Sequence, residues 1–213
     1  MSITVIDYGS GNLKSAAKAL ETAANNINLN EKIIVTSDPK IIKESKKIIL
    51  PGQGSFRDCF LGIKKISGLE DTLNELVLVK KKPILGICVG MQLFAKIGHE
   101  SQQTEGFGWI DAEVRKINNI NKTLKLPHMG WNEIVLKEST NLFSNIKDKS
   151  HMYFIHSYEL ITKQKDCIVA TTTYGNSVIA AVKKENIFGT QFHPEKSQKN
   201  GLIILENFLR LGL

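Results

Sequence analysis

The pattern of apolar and polar positions changes character near residue 106. Before it, short continuous apolar runs alternate with stretches of helical period. The runs are Ile3-Thr4-Val5-Ile6, Ile33–Val35, Lys47-Ile48-Ile49-Leu50 and Ile84–Ile87. Each is the length of a buried strand, and each is bounded by turn residues. Between them, about Leu13 to Ala24 carries Leu13, Ala16, Ala17 and Leu20 on one face. Ser37-Asp38-Pro39 reads as a capped helix start, and helical segments follow near Ser55–Lys65 and Leu69–Val79. Strand, helix, strand, helix predicts a parallel sheet with helices on both faces. After about Gly106 the runs Phe107–Ile117, Trp131–Leu136, Met152–Leu160, Cys167–Thr173, Val178–Val182 and Ile187–Phe192 are separated by short turns. That half predicts an antiparallel-rich arrangement, closed by a helix from about Leu202 to Leu211. No linker, internal repeat or low-complexity tract interrupts the chain, so residues 1–213 are expected to form one α/β domain.

Composition narrows the classes of function. The chain is 42% hydrophobic and 23% charged, as in an ordinary globular protein, and no run approaches the ~18 apolar residues of a membrane span. No charged-then-apolar signal segment precedes the first strand, so no membrane association and a cytoplasmic location are expected. The net charge of +7 is carried mainly by scattered lysines such as Lys46-Lys47, Lys80-Lys81-Lys82 and Lys183-Lys184. No aromatic residues interleave them as a single-strand binder requires, so no nucleic-acid partner is expected. Cys59, Cys88 and Cys167 have neither disulfide-framework nor zinc spacing. Cys59 and Cys167 read as packing residues.

Cys88 differs because of its setting. Gly86-Ile87-Cys88-Val89-Gly90 follows a buried strand and precedes an apolar helix predicted to start near Gly90. This is the thiol counterpart of the Gly-x-Ser-x-Gly elbow, in which a tight strand-to-helix turn exposes one nucleophilic side chain. The helix N-terminus would aim N–H dipoles at the sulfur. A thiol used for acyl transfer needs a base, a group that orients the base, and donors for the oxyanion. Of five histidines, His193 is the one with a carboxylate two residues on, in His193-Pro194-Glu195. In extended backbone those two side chains share a face, so Glu195 can orient His193. The oxyanion donors are expected to be the Val89 N–H and one from Gly52-Gln53-Gly54, a loop that also leaves the carboxyl end of a strand. The loop Asp7-Tyr8-Gly9-Ser10-Gly11-Asn12 lacks the third glycine and the lysine of nucleotide-binding loops and reads as a tight turn, with Asn12 at a helix start.

With these residues in view the chain resembles the class I glutamine amidotransferases, of Cys-His-Glu type. More narrowly it is similar to the glutaminase subunits of imidazole glycerol phosphate synthases in histidine biosynthesis. The elbow and His-Pro-Glu carry the broad resemblance. Pro127-His128-Met129-Gly130-Trp131-Asn132 and Phe192-His193-Pro194-Glu195-Lys196-Ser197 carry the narrow one.

The resemblance implies a three-layer α/β/α fold with a central mixed sheet. It implies that Cys88 attacks the side-chain amide of L-glutamine, that His193 protonates the departing ammonia, and that Glu195 orients His193. Val89 and Gln53 would supply the oxyanion hole, and Gly52, Gly54, Gln92, Glu100, Ser157 and Tyr158 would bind substrate. Asn12, Trp131, Tyr153 and Lys196 would face a (β/α)8-barrel cyclase subunit that forms a heterodimer with this chain and receives the ammonia. No metal or organic cofactor is implied. Alternatives with the same chemistry are a glutaminase feeding a surface-sugar amination enzyme and a stand-alone thiol hydrolase. Where the family usually has a small apolar residue, this chain has Gln53, which makes the resting state of that loop a question for the structure.

Overall fold

A computed structural model describes residues 2–118, 124–137 and 140–212. In chain order the first half comprises β1 (Ser2–Ile6), α1 (Leu13–Asn26), β2 (Lys32–Thr36), α2 (Pro39–Lys43), β3 (Ser45–Gly52), α3 (Phe56–Lys65), α4 (Leu69–Asn74), β4 (Ile84–Cys88) and α5 (Val89–Gln92). The second half comprises β5 (Ile97–Gly98), β6 (Thr104–Glu105), β7 (Ala112–Lys116), β8 (His128–Glu133), β9 (Val135–Leu136), β10 (His151–His156), β11 (Tyr158–Thr162), β12 (Ile168–Tyr174), β13 (Asn176–Lys184), β14 (Ile187–Thr190) and α6 (Gln198–Arg210). Helix starts follow local chemistry. Asn12 Oδ1 accepts from the Ser15 N–H at the head of α1, Asp38 caps α2 ahead of Pro39, and Ser55 accepts from the Asp58 N–H at 3.0 Å.

The main sheet has the order β2-β1-β3-β4-β14-β13-β12-β9. Its first five strands run parallel, and β13, β12 and β9 continue it antiparallel. The sheet is therefore mixed, as expected, and α1 packs against α6 across one face. Two smaller sheets stand beside it, the antiparallel pair β10-β8 and the order β11-β7-β5-β6. Strands β1 and β4 are buried along their whole length, which explains their unbroken apolar runs. Among the described residues no helix is long and apolar enough to cross a membrane.

Register positions the chemistry. Gly52 at the end of β3 is paired with Cys88 at the end of β4, and Thr190 at the end of β14 is paired with Ile87. Three neighbouring parallel strands thus finish level, and their outgoing loops share one edge, the usual location of sites in such sheets.

The runs Trp131–Leu136 and Met152–Leu160, each expected as one strand, divide between sheets, β8 from β9 and β10 from β11. Two further expectations need correction. The helix after Cys88 is one turn, Val89–Gln92. The carbonyls of Leu93, Phe94 and Ala95 accept instead from the N–H groups of Phe107, Ile110 and Gly108, so tertiary bonds replace the next helical turn. For the same reason residues 107–111 are not strand, although Phe107–Ile117 was expected to be. Phe107 and Trp109 stack at 4.1 Å, with Gly108 between them at φ 67°.

Candidate active site

At the elbow Cys88 has φ 55° and ψ −113°, a strained conformation for a residue with a Cβ. The glycines around it are sterically required. A Cβ on Gly90 would lie 1.8 Å from the Leu50 carbonyl oxygen, and one on Gly86 2.5 Å from the Phe94 ring. The close approach of β3, β4 and α5 exists only because those positions are bare. A single helical turn aligns few peptide dipoles, so the dipole argument for the sulfur loses most of its weight.

What faces the sulfur instead is His193. Its Nδ1 lies 2.7 Å from Glu195 Oε1, with both side chains buried. The expected same-side placement holds, but the backbone is extended only at His193, and Pro194–Lys196 forms a 3-10 turn. The His193 N–H donates to the Tyr153 carbonyl, and Ser197 Oγ donates to the His193 carbonyl at 2.7 Å, which together fix the backbone under the ring. Burial alone pulls the imidazole down. Interaction with the Cys88 sulfur and with the Glu195 carboxylate outweighs it and holds the ring up at about 10, against an ordinary 6.5. With Nδ1 committed to Glu195, Nε2 is buried and has no hydrogen-bond partner among the described residues, leaving it free for proton exchange.

A cavity of about 240 Å³ opens in front of these groups. It is lined by Cys88, Val89, His193, Lys196, Gln53, Gly54, Gln92, Glu100, Pro127, Ile155, His156, Ser157 and Tyr158. Most of the sequence-derived site residues therefore meet at one place. Gly52 lies behind the cavity, where a Cβ would strike Gly90 N at 2.5 Å, so its role is close packing rather than contact. Glu100 Oε2 accepts from the Phe56 N–H at 2.8 Å and is held at the start of α3. Among the described residues the Ser157 carbonyl accepts from the Ile117 N–H alone, whereas the Tyr158 carbonyl accepts from both Gln92 Nε2 and His156, which uses both lone pairs of the Tyr158 oxygen but not of the Ser157 oxygen.

The loop after β3 differs from expectation. The Gln53 N–H donates to Ser10 Oγ at 3.3 Å, and the same hydroxyl donates back to the Gln53 carbonyl. Cys59 Sγ stands 3.3 Å from Ser10 Oγ and 3.5 Å from the Gln53 carbonyl. The amide expected in the oxyanion hole is thus committed to a side chain outside the cavity. Val89, at the first position of a helical turn, has an N–H with no intrahelical acceptor.

At the outer rim Trp131 and Tyr153 meet edge to face at 5.9 Å, and Lys196 Nζ lies 5.8 Å from the Tyr153 ring centre. Trp131 is 47% exposed and Met129, on the same strand, 59%. Asn12 spends its side-chain oxygen on capping α1, a helix that packs against the Pro194–Lys196 turn. His99 pairs with Glu113 at 3.2 Å and does not line the cavity, and His151 is exposed. Sequence reasoning missed Ser10, and it missed Gln191, whose Nε2 lies 3.6 Å from Cys88 Sγ. Gln191 stands two residues before His193, but that spacing relates it to His193 and carries no sign of its approach to a sulfur 103 positions earlier.

Comparison with known proteins gives a consistent picture. Residues 4–211 match the family model described as glutamine amidotransferase class-I. The chain is 52% identical to "Imidazole glycerol phosphate synthase subunit HisH" of Pelagibacter ubique (strain HTCC1062), covering 99% of this chain and 100% of that one. It is 47% identical to the protein of the same name from Bradyrhizobium diazoefficiens, covering 99% of each. In fold it is similar to the crystal structure of a glutamine amidotransferase from Thermotoga maritima. The TM-score is 0.64 at 17% identity, covering 94% of this chain and 78% of that one.

Proposed function

The chain belongs to the class-I glutamine amidotransferase family, and from that premise we propose that it is the glutaminase subunit of an imidazole glycerol phosphate synthase in histidine biosynthesis. The observation that carries the chemistry is the meeting, at one cavity, of a nucleophile-elbow thiol and a buried His193–Glu195 pair. The near-full-length likeness to relatives of that name supports the histidine-pathway assignment over a sugar-amination enzyme or a stand-alone hydrolase.

In this reading the Cys88 sulfur attacks the side-chain carbonyl carbon of L-glutamine. A C–S bond forms and negative charge moves to the carbonyl oxygen. The Val89 N–H receives that charge, with the Gln53 N–H joining once it leaves Ser10. His193 Nε2–H gives its proton to the amide nitrogen, the C–N bond breaks, and ammonia departs. Water, deprotonated by His193, then attacks the thioester. Glutamate leaves and the sulfur recovers its pair of electrons. Glu195 keeps Nδ1 protonated and stabilises the imidazolium throughout.

Gln92 and Glu100 line the cavity and bind the amino-acid end of the substrate. Since Gln92 Nε2 is spent on protein acceptors, its Oε1 is what it offers to an ammonium. Gly54, Ser157 and Tyr158 shape the rest of the substrate wall, with Gly52 packing behind it. The partner is a (β/α)8-barrel cyclase, docked as a heterodimer on the rim carrying Asn12, Trp131, Tyr153 and Lys196, where exposed Met129 and Trp131 supply apolar area. Ammonia passes across that rim. The working unit is one domain, residues 1–213, in the cytoplasm.

The test is Cys88→Ala in complex with the cyclase. Glutamine-dependent synthesis should vanish while synthesis from added ammonia persists, because the sulfur serves only amide hydrolysis. Loss of both would identify Cys88 as a structural residue and overturn the assignment.

A further inference from the structure

A chain of amides and imidazoles, of which the catalytic cycle uses only Gln92, ends on the nucleophile. Gln191 is fully buried and does not line the cavity, so it is not a substrate contact. Its Nε2 lies 3.6 Å from Cys88 Sγ, and its Oε1 accepts from Gln92 Nε2 at 2.9 Å. Gln92 Nε2 also donates to the Tyr158 carbonyl at 2.9 Å. A carbonyl can only accept, so the Gln92 amide has one orientation. That in turn points the Gln191 oxygen at Gln92 and its NH2 at the sulfur.

The ordering extends further back. The Tyr158 carbonyl takes a second donor, His156 Nδ1–H at 2.9 Å. The other nitrogen of His156 then accepts from His128 Nδ1–H at 3.0 Å, and His128 Nε2 accepts from Asn132 Nδ2 at 3.1 Å. Burial holds both imidazoles neutral down to about 4, which this single set of tautomers requires.

We propose that Gln191 is a further catalytic residue, an N–H donor that holds the Cys88 sulfur in place and stabilises its anionic form. The proposal rests on the reading of Cys88 as nucleophile. Near the sulfur, the Ile155 carbonyl at 3.8 Å suits a thiol proton and opposes an anion. Gln191 presents the opposite dipole. The sulfur carries negative charge twice per cycle, before it attacks glutamine and when it leaves the second tetrahedral intermediate. A fixed donor assists both steps without moving, at no reorganisation cost.

The test uses the full chain in complex with its cyclase, with Gln191→Leu and Gln191→Glu. Turnover of glutamine is measured together with the rate of Cys88 alkylation by iodoacetamide across pH, the modified residue being located by peptide mapping. For Gln191→Leu, kcat should fall about tenfold or more with KM within about twofold. The midpoint of the alkylation profile should move up by about one pH unit. Gln191→Glu keeps the shape and puts a carboxylate against the sulfur, so its profile should move further in the same direction. Ammonia-dependent synthesis should be unchanged in both.

A folded Gln191→Leu with unaltered kcat and alkylation profile overturns the proposal. So does a rise in KM alone, which would make Gln191 a substrate contact. If Gln191→Leu fails to fold, Gln191→Glu decides, and an unshifted profile there overturns the proposal equally. Glutamine turnover surviving in Cys88→Ala would instead sink the reading of the nucleophile, an outcome read on a different variant.

Discussion

Outside the cavity the hydroxyl of Ser10 holds both backbone polar groups of one residue, accepting from the Gln53 N–H and donating to the Gln53 carbonyl. An oxyanion donor that is committed elsewhere cannot stabilise the tetrahedral intermediate, and the loss of one such donor costs about 10²–10³ in rate. With Gln53 as the proposed second oxyanion donor, the isolated chain is expected to turn over slowly, which would suit a glutaminase whose ammonia is wasted unless an acceptor is bound. Ser10→Ala removes the competing partner and leaves the cavity lining intact. Basal glutamine hydrolysis by the isolated chain should rise about tenfold in kcat with little change in KM. The stimulation given by cyclase and its ligand should shrink by a similar factor. Steady-state assays with and without the partner measure both, and an unchanged basal rate would show that Ser10 is not what restrains the loop.

Among the elements, the junction of β3, β4 and α5 tolerates the least change. Gly90 faces Leu50 so closely that a methyl group would sit 1.8 Å from its carbonyl oxygen. Leu50 is itself paired with Gly86 in the middle of the sheet, so neither backbone can yield. Gly90→Ala should cost about 3 kcal/mol or more, a fall of about 10 °C in Tm for a chain of this size. Gly54 is the comparison. It has φ 106° with no atom within 4 Å of a built Cβ, so Gly54→Ala pays only backbone strain of about 1 kcal/mol. Thermal unfolding of the two variants side by side checks the difference, and equal losses would contradict the packing argument. The same junction explains why α5 stops after one turn, since its next carbonyls are already taken by residues 107–110.

For the whole molecule, buried titratable groups give stability a pH dependence of known sign. Burial lowers His128 and His156 from 6.5 to about 4. Below about pH 6.5 the unfolded chain binds protons on these rings that the folded chain refuses until about pH 4, so stability falls as pH drops through that window. Glu159 opposes them. Burial raises it from 4.5 to about 7, so the folded chain keeps a proton that the unfolded chain has released, and stability falls as pH rises from about 4.5 to 7. His193, held at about 10, contributes fully below about pH 6.5 and loses its contribution as pH rises toward 10. Because these windows overlap, the measurement is a difference. His156→Gln can still donate to the Tyr158 carbonyl but no longer titrates. Urea unfolding of both proteins at pH 7 and pH 5 should show a smaller acid loss in the variant. Parallel losses would mean that His156 is not a source of the acid limb.

Some of this was local information, and local information is what a sequence carries. Glycines at 86 and 90 around a cysteine, a carboxylate two residues after a histidine, and unbroken apolar runs ending in glycine loops each depend on neighbours within a few positions. They were enough to indicate a parallel sheet in the first half and antiparallel strands in the second, and to single out Cys88 and His193, which line one cavity, and Glu195, which pairs with His193 behind it. What lay beyond reach was set by pairing between distant segments. The length of α5 depends on residues 107–110 capturing its carbonyls, and the state of Gln53 depends on a hydroxyl 43 positions away. Gln191 becomes significant only because β14 lies parallel to β4 and delivers its amide to a sulfur 103 positions earlier. Hydrogen bonds of that kind are chosen by the register of strands, and register is a property of the folded sheet rather than of any stretch of chain.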